Sequence, residues 1–313
     1  MKGPLHGIRV VDLSIALSGP WAVGILADQG ADVVKVEPPG IGDIGRWVGP
    51  AIGGVSALAQ IVNRGKRSLA VNLQKEDGRA IVRTLAARAD VFVQNFRPGV
   101  IERLGLGYDG LAALNPRLVY VSISGFGAEG PYAGKSAYDP VVQAYGGLAA
   151  VQAGADGTPQ LIRHTAADKI TALTASQAIT AALFARERGA GGQHLQISML
   201  ESVVNFVWAD AAGNEVLLDS DGSQPSSFSR DQKLWPTADG YVIAAPVSDE
   251  DVARICRGVG VDGYDDPQVA TIVARRQNPQ AFQALLRRVY AAVGKMTTAE
   301  AIRGMEAEKA PCG

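Results

Sequence analysis

Short apolar, β-branched runs alternate with amphipathic stretches of helical period over the first two hundred residues of this chain. That alternation restricts what the chain can fold into. IRVVDLS (8–14), ADVVKVEPP (31–39), DVFVQNF (90–96) and LVYVSIS (118–124) read as strands. GPWAVGILADQG (19–30), KEDGRAIVRTLAARA (75–89) and YDGLAALNP (108–116) read as helices. Strands separated by helices of this length form βαβ units and a parallel sheet. The runs are apolar at nearly every position, which predicts a sheet covered on both faces. A long helix is expected over 165–188, a strand over 192–200 and a helix over 201–218.

From 219 to 234 the pattern breaks: DSDGSQPSSFSRDQKL is polar and carries Gly, Ser and Pro, as a linker or active-site loop does. WPTADGYVIAAPVS follows and reads as a hairpin turning at Asp239-Gly240. The expected organisation is α/β: a large domain over 1–224, the linker at its end, and a smaller α+β domain over 225–313. Hydrophobic residues at 47% and charged ones at 19% suit two globular domains and carry no disorder signature. A net charge of -1 gives no reason to expect nucleic acid or an anionic membrane as partner. Two cysteines, Cys256 and Cys312, exclude a disulfide framework and a four-cysteine zinc site. The three histidines, His6, His164 and His194, have no metal-ligand spacing, so no metal is expected. No signal peptide is legible and no apolar run reaches the roughly 18 residues of a membrane span, so a cytoplasmic protein is expected.

Gly125-Phe126-Gly127-Ala128-Glu129-Gly130 spells G-x-G-x-x-G after a strand. A working dinucleotide fingerprint needs a helix to follow, so that its N-terminus meets the pyrophosphate. Pro131 comes at once instead, and PYAGKSAYDP has no helical period. The ribose-binding carboxylate expected about 20 residues on is also missing. These glycines are expected to shape a loop at the carboxyl edge of the sheet, where α/β ligands bind.

PLHGIRVVDLS with GPWAVGILADQGADVVKVEPPGIGD, then NRGKRSLAVNL (63–73), then ADVFVQNFRPGVIERLGLGYDGLAALNPRLVYVSISGFGAEGPY (89–132), then GGQHLQISMLESV follow one another along the chain. In this order they resemble the class III CoA-transferase family, which also contains the α-methylacyl-CoA racemases. The likeness runs from residue 4 to about 205. It implies a Rossmann-like large domain, a smaller domain, and two ring-like subunits interlinked as a homodimer. Relatives continue beyond APCG with further loop and helix, so the resemblance implies a chain shortened at its C-terminus. It implies an enzyme of acyl-CoA metabolism that takes coenzyme A as substrate, with no tightly bound cofactor.

The resemblance places the catalytic aspartate at Asp168, in RHTAADKITALTASQ. Read without it, Thr165-x-x-Asp168 is an acidic variant of the helix capping box. The two roles are compatible, because a carboxylate in a first helical turn is favoured by the dipole and stays ionised at neutral pH. Such a carboxylate attacks a thioester carbonyl, giving an aspartyl anhydride and then an aspartyl-CoA thioester from which CoA passes to an acid. Tyr138 stands where the racemases carry a histidine. A phenol with a pKa near 10 is a poor proton shuttle at neutral pH but a good hydrogen-bond donor, which favours transfer over racemisation. For CoA, the resemblance points to Lys66, Arg67, Arg97 and Arg103 at the phosphates and to Asn95 and Phe96 beside the adenine. Taken singly, each basic residue is more commonly a solvated surface charge; their clustering in two matching motifs is what points to CoA.

Some positions depart from the family pattern. Leu17 stands where some transferases carry a polar Gln, and a glycine-rich flap is replaced by SSFSRDQKLWPTADG. Both changes lie on the acceptor side; Arg163 and His164 are candidates for greeting an acceptor carboxylate there. The alternatives are an acyl-CoA racemase, a non-catalytic CoA-binding subunit and, more remotely, a nicotinamide oxidoreductase.

Overall fold

The structure, a computed structural model, describes residues 3–154, 156–222 and 232–313. The chain divides into two compact units, residues 1–227 and 228–313. The expected boundary near residue 225 and most of the 219–234 linker lie outside the described residues.

The larger unit is built on one parallel sheet. Its strands are β1 (Arg9–Asp12), β2 (Asp32–Glu37), β3 (Lys66–Ala70), β4 (Val91–Gln94), β5 (Val119–Ser124) and β6 (Gln193–Ser198). They lie side by side in the order β3-β2-β1-β4-β5-β6, all parallel. The alternation predicts a parallel sheet covered on both faces; the order found is doubly wound and reverses between β1 and β4. The helices used below are α1 (Ser18–Asp28), α2 (Glu76–Ala86), α3 (Tyr108–Leu114), α4 (Asp139–Tyr145), α5 (Ala166–Ala185) and α6 (Met199–Ala211).

On one face of the sheet Val10, Val91, Val93, Val119, Val121 and Ile123 form a continuous core with α1 and α5. On the other face Phe92 and Tyr120 stack at 5.1 Å and pack with Val82 and Ala86 of α2 and Leu111 of α3. Beyond these rings the second face turns polar. Gln94 donates to Ser122 Oγ at 2.9 Å, and Ser122 Oγ lies 2.9 Å from His194 Nε2. Strands alternate their side chains, so the apolar runs conceal this change: only every second residue reports on each face.

Residues 63–73, which the sequence pattern does not mark as a strand, contain β3. Its charged, exposed sequence is that of an edge strand, where water satisfies one side and apolar residues are not required. Lys66 and Arg67 pair with Val33 and Val34 of β2 at the amino end of the strand.

The smaller unit holds a hairpin, β7 (Trp235–Pro236) and β8 (Tyr241–Val242), with α7 (Asp249–Gly258), α8 (Pro279–Val293) and α9 (Thr298–Ala307). Val242, Ile255, Val289, Val293 and Met305 are among its core residues. Ser248 with Asp251 and Thr297 with Glu300 form capping boxes that set the starts of α7 and α9. Helices α7 and α9 approach at Gly258 and Gly304, where a Cβ on Gly304 would stand 2.1 Å from the Gly258 carbonyl oxygen. No helix among the described residues is long and apolar enough to cross a membrane.

Candidate active site

At the carboxyl ends of β1 and β4, where the strand order reverses, the larger unit opens a cleft of about 360 Å³. Open α/β sheets bind ligands at this position because the two crossovers there diverge to opposite faces. The loop after β1 forms one wall and is held rigidly from two directions. Asn95 accepts from Ile15 N at 2.8 Å and donates to the Ile15 carbonyl at 2.9 Å. Asp43 Oδ1 accepts from Ala16 N at 2.8 Å and from Gly45 N at 2.9 Å. Between these clamps Ala16 takes φ 66°, a left-handed conformation that an alanine adopts at a cost of roughly 1–2 kcal/mol. The loop is over-determined, and the next residues, Leu17 and Ser18, face the cleft.

Asp168 lies in the first turn of α5 and lines this cleft. Ser18 stands beside its carboxylate, and its hydroxyl and backbone N–H favour the charged form. Ser18 begins α1, so the carboxylate sits where the N-termini of α1 and α5 converge. Burial, and after it the Asp139 carboxylate, nevertheless raise its pKa to about 6, with the Ser18 hydrogen bonds opposing both. Dipole stabilisation alone predicts a depressed value; the cost of desolvating the charge is larger. The capping box suggested by Thr165 and Asp168 does not form, since Thr165 makes no side-chain cap. Its place is taken by Asp139, at the start of α4, whose Oδ2 accepts from Asp168 N at 2.9 Å while Oδ1 accepts from Gln143. An acceptor from a second helix caps α5 and leaves the Asp168 side chain free to face the cleft.

Asn95, Phe96, Arg97 and Tyr138 line the same cleft as Asp168. Tyr138 is 72% exposed and holds the residue just before α4. Arg103 is exposed, close to Gly99 in the loop after β4. Lys66 and Arg67 stand apart from this group. The Lys66 ammonium is buried and donates to Asp12 Oδ2 (2.8 Å), the Pro20 carbonyl (2.7 Å) and Asn63 Oδ1 (3.0 Å), which uses all three of its protons. Burial lowers its pKa and Asp12 opposes that shift. Arg67 pairs with Asp32 at the amino end of the sheet, away from the carboxyl edge. Arg163 and His164 are exposed and do not line the Asp168 cleft.

Sequence reasoning missed Ser18, whose partner is 150 positions away, and Lys135, in the loop before Tyr138. It also missed a second cleft of about 350 Å³, which shares Ile15, Ile44, Phe96 and Val100 with the first. Val71 to Gln74, just past the carboxyl end of β3, help to line it. Its walls are mainly apolar, and Ile41 and Ile44 are 62% and 50% exposed at its edge. A signal was present in NRGKRSLAVNL, at its apolar end rather than its basic one.

The family model described as CoA-transferase family III matches residues 5–313. An acetyl-CoA:oxalate CoA-transferase of Acetobacter aceti is 44% identical over 207 residues, 66% of this chain and 53% of that protein. A succinate–glutarate CoA-transferase of Agrobacterium fabrum is 38% identical over 288 residues, 88% of this chain and 71% of that protein. The chain thus spans about half the length of the first relative and seven-tenths of the second. A CaiB/BaiF family protein of Brucella suis has a solved structure that superposes with a TM-score of 0.82 at 33% identity, covering 100% of this chain and 84% of that one.

Proposed function

The chain belongs to CoA-transferase family III, and from that premise we propose that it moves coenzyme A from an acyl-CoA thioester to a carboxylic acid through Asp168. One observation carries the reading: a carboxylate with a pKa raised to about 6 faces a cleft at the point where two helix N-termini meet. At pH 7 it is mostly ionised, yet more basic than an ordinary carboxylate and so a better nucleophile.

In the proposed reaction an Asp168 oxygen attacks the thioester carbonyl. A C–O bond forms, the C–S bond breaks, and CoA leaves as the thiolate. The thiolate then attacks the Asp168 carbonyl of the anhydride, and the donor acid departs as a carboxylate. The acceptor carboxylate repeats the sequence in reverse: it attacks the aspartyl-CoA carbonyl, the thiolate leaves, and the thiolate takes the acceptor's acyl group while Asp168 is regenerated. No net proton or electron is consumed. Backbone N–H groups at the start of α1 and the Tyr138 hydroxyl serve as donors to the oxyanions that develop.

Coenzyme A lies across the two clefts in this reading, with Phe96 common to both. The apolar cleft takes the adenine end, and Arg97 and Arg103 take the phosphates. Lys66 and Arg67 contribute to the fold, because their charges are already matched by Asp12 and Asp32. Beside the acetyl group of the first, the acids named for these relatives are oxalate, succinate and glutarate, each with two carboxyl groups, and we assign a short dicarboxylate as acceptor. We also propose a homodimer. Supporting it, α5 and α6 present Leu173, Phe184, Phe206 and Trp208 at 52–66% exposure, more large apolar surface than a solitary subunit usually leaves bare.

The test is covalent trapping. Protein incubated with succinyl-CoA or acetyl-CoA, quenched and digested, is expected to carry an adduct on the Asp168 peptide that hydroxylamine intercepts and Asp168→Asn abolishes. CoA binding without any adduct would leave the binding-subunit alternative in place of transfer.

A further inference from the structure

We infer that Asp43 is a positioning residue for transfer: from behind the cleft wall it fixes the left-handed turn at Ala16 and so holds Ser18 beside Asp168. The inference rests on the transfer reading above and adds to it a residue that does not itself line the Asp168 cleft.

Asp43 is buried, and its carboxylate is held on both oxygens. Oδ1 accepts from Ala16 N at 2.8 Å and from Gly45 N at 2.9 Å, and Oδ2 lies 2.9 Å from Lys35 Nζ. Its backbone N–H donates to Glu37 Oε2 at 2.9 Å. Glu37 is gripped in turn by Arg46 at 2.7 and 2.6 Å and by the Ser68 hydroxyl at 2.8 Å. Asp43 is thus tied through its backbone to the last residue of β2 and through its charge to a lysine of the same strand. A buried ion pair adds little stability over apolar side chains of the same volume. What this one adds is a fixed acceptor for the Ala16 amide.

The turn it holds leads directly to Ser18. Lys35 Nζ also donates to the Ser14 carbonyl, so one ammonium ties the residue two before Ala16 to the carboxylate that binds Ala16. Ser14 N donates to Asp12 Oδ1 at 2.9 Å. The start of α1 rests on Ser14, since a Cβ on Gly19 would stand 2.3 Å from Ser14 Cβ. From the other side Gly45 closes on the turn, where a Cβ would stand 3.2 Å from the Ala16 carbonyl oxygen. Ser18 therefore lies between fixed points at Ala16 and Gly19, buried beside the Asp168 carboxylate. Asn95 clamps Ile15 as well, but it lines the cleft, where a ligand can reach it. The hold of Asp43 is independent of what the cleft contains.

An alanine at φ 66° gains by relaxing, and the Asp43 acceptor opposes that. Ser18 favours the charged form of Asp168, so a turn that relaxes and carries Ser18 away raises the pH at which Asp168 ionises. Asp43 itself is faced by Lys35 and Glu37 from β2, by Lys66 from β3 and by Arg46 just after it. Around Asp168, Asp139 faces it from α4, Lys169 follows it on α5, and Arg97, Lys135 and Tyr138 stand along the cleft lining. The substitutions below leave all of these in place.

The experiment follows single-turnover adduct formation from succinyl-CoA between pH 5 and 8. It compares the parent chain with Asp43→Ala, with Asp43→Asn, and with each of these combined with Ala16→Gly; circular dichroism reports the fold of every variant. In Asp43→Ala the half-maximal point is expected to move up by about one pH unit, so that the rate falls about fivefold more at pH 6 than at pH 8. Asp43→Asn keeps an oxygen for the two amides but turns an amide nitrogen toward Lys35. It is expected to fall between, and it carries the comparison if Asp43→Ala does not fold. Glycine takes the left-handed turn at no steric cost, so Ala16→Gly is expected to return the half-maximal point toward that of the parent in both backgrounds. A folded Asp43 variant with the parent's profile overturns the inference. So does a rate loss equal at every pH that Ala16→Gly does not relieve, which makes Asp43 a residue of stability alone. A move to lower pH overturns it too, because it signals water entering at Asp168 rather than Ser18 leaving. All three results leave the transfer reading intact, whereas a parent chain that forms no Asp168 adduct removes both.

Discussion

At Asp168 two effects of opposite sign meet, and burial wins. The usual value of 3.8 rises to about 6 despite two helix N-termini and the Ser18 donors. The sign of the consequence for stability follows from linkage. A carboxyl that holds its proton more tightly when folded contributes stability that is fully present below about pH 4 and is lost as pH rises through about 6. Asp168→Asn is therefore expected to be more stable than the parent at pH 8, on the order of 2 kcal/mol, with the difference vanishing at pH 4. Urea unfolding at the two pH values measures it. The nucleophile is the ionised form, so single-turnover adduct formation is expected to be half-maximal near pH 6 and to fall about tenfold per unit well below that. A rate independent of pH from 5 to 8 would show that Asp168 does not titrate there.

Between elements, the cap of α5 comes from α4. Asp139→Asn keeps an acceptor oxygen for Asp168 N but removes a charge that raises the Asp168 pKa. The acid limb of the single-turnover profile is expected to move to lower pH in this variant. Asp139→Ala also loses the cap, at about 1–2 kcal/mol in unfolding free energy. At the other side of the sheet, Asp12 lies buried between Lys66 at 2.8 Å and Lys35 at 3.9 Å. Burial pushes the Asp12 carboxyl up, and the two lysines together hold it below the usual range. Lys66→Met breaks this buried set and is expected to cost about 3 kcal/mol in stability. KM for acyl-CoA is expected to stay within about twofold, because the ammonium has no proton left for a phosphate. A KM rise of about tenfold or more at unchanged stability would restore Lys66 to the ligand.

For the whole molecule, the proposed homodimer predicts a sedimentation mass of twice one chain. Replacing Phe206 and Trp208 by Ser is expected to shift the distribution toward monomer, since these exposed rings supply much of the apolar area that α6 offers a partner. A parent chain that sediments as a monomer at micromolar concentration would remove the dimer.

The amino-acid sequence by itself determined the alternation of strands and helices, β3 excepted, and with it a parallel sheet covered on both faces. Side-chain period is a local property, and a right-handed crossover leaves parallel strands few ways to assemble. Of the residues that its motifs singled out, Asn95, Phe96 and Arg97 after β4 and Asp168 at the start of α5 line one cleft, because both segments run from the carboxyl edge of the sheet, whereas Arg103 lies outside it. Only the tertiary structure decided the rest. It brought Ser18 to Asp168, let Asp139 rather than Thr165 cap α5, enclosed Lys66 beside Asp12, and set Lys135 on its aromatic platform. Each of these depends on distance through space and on exclusion of water, and neither is written in the spacing of residues along a chain.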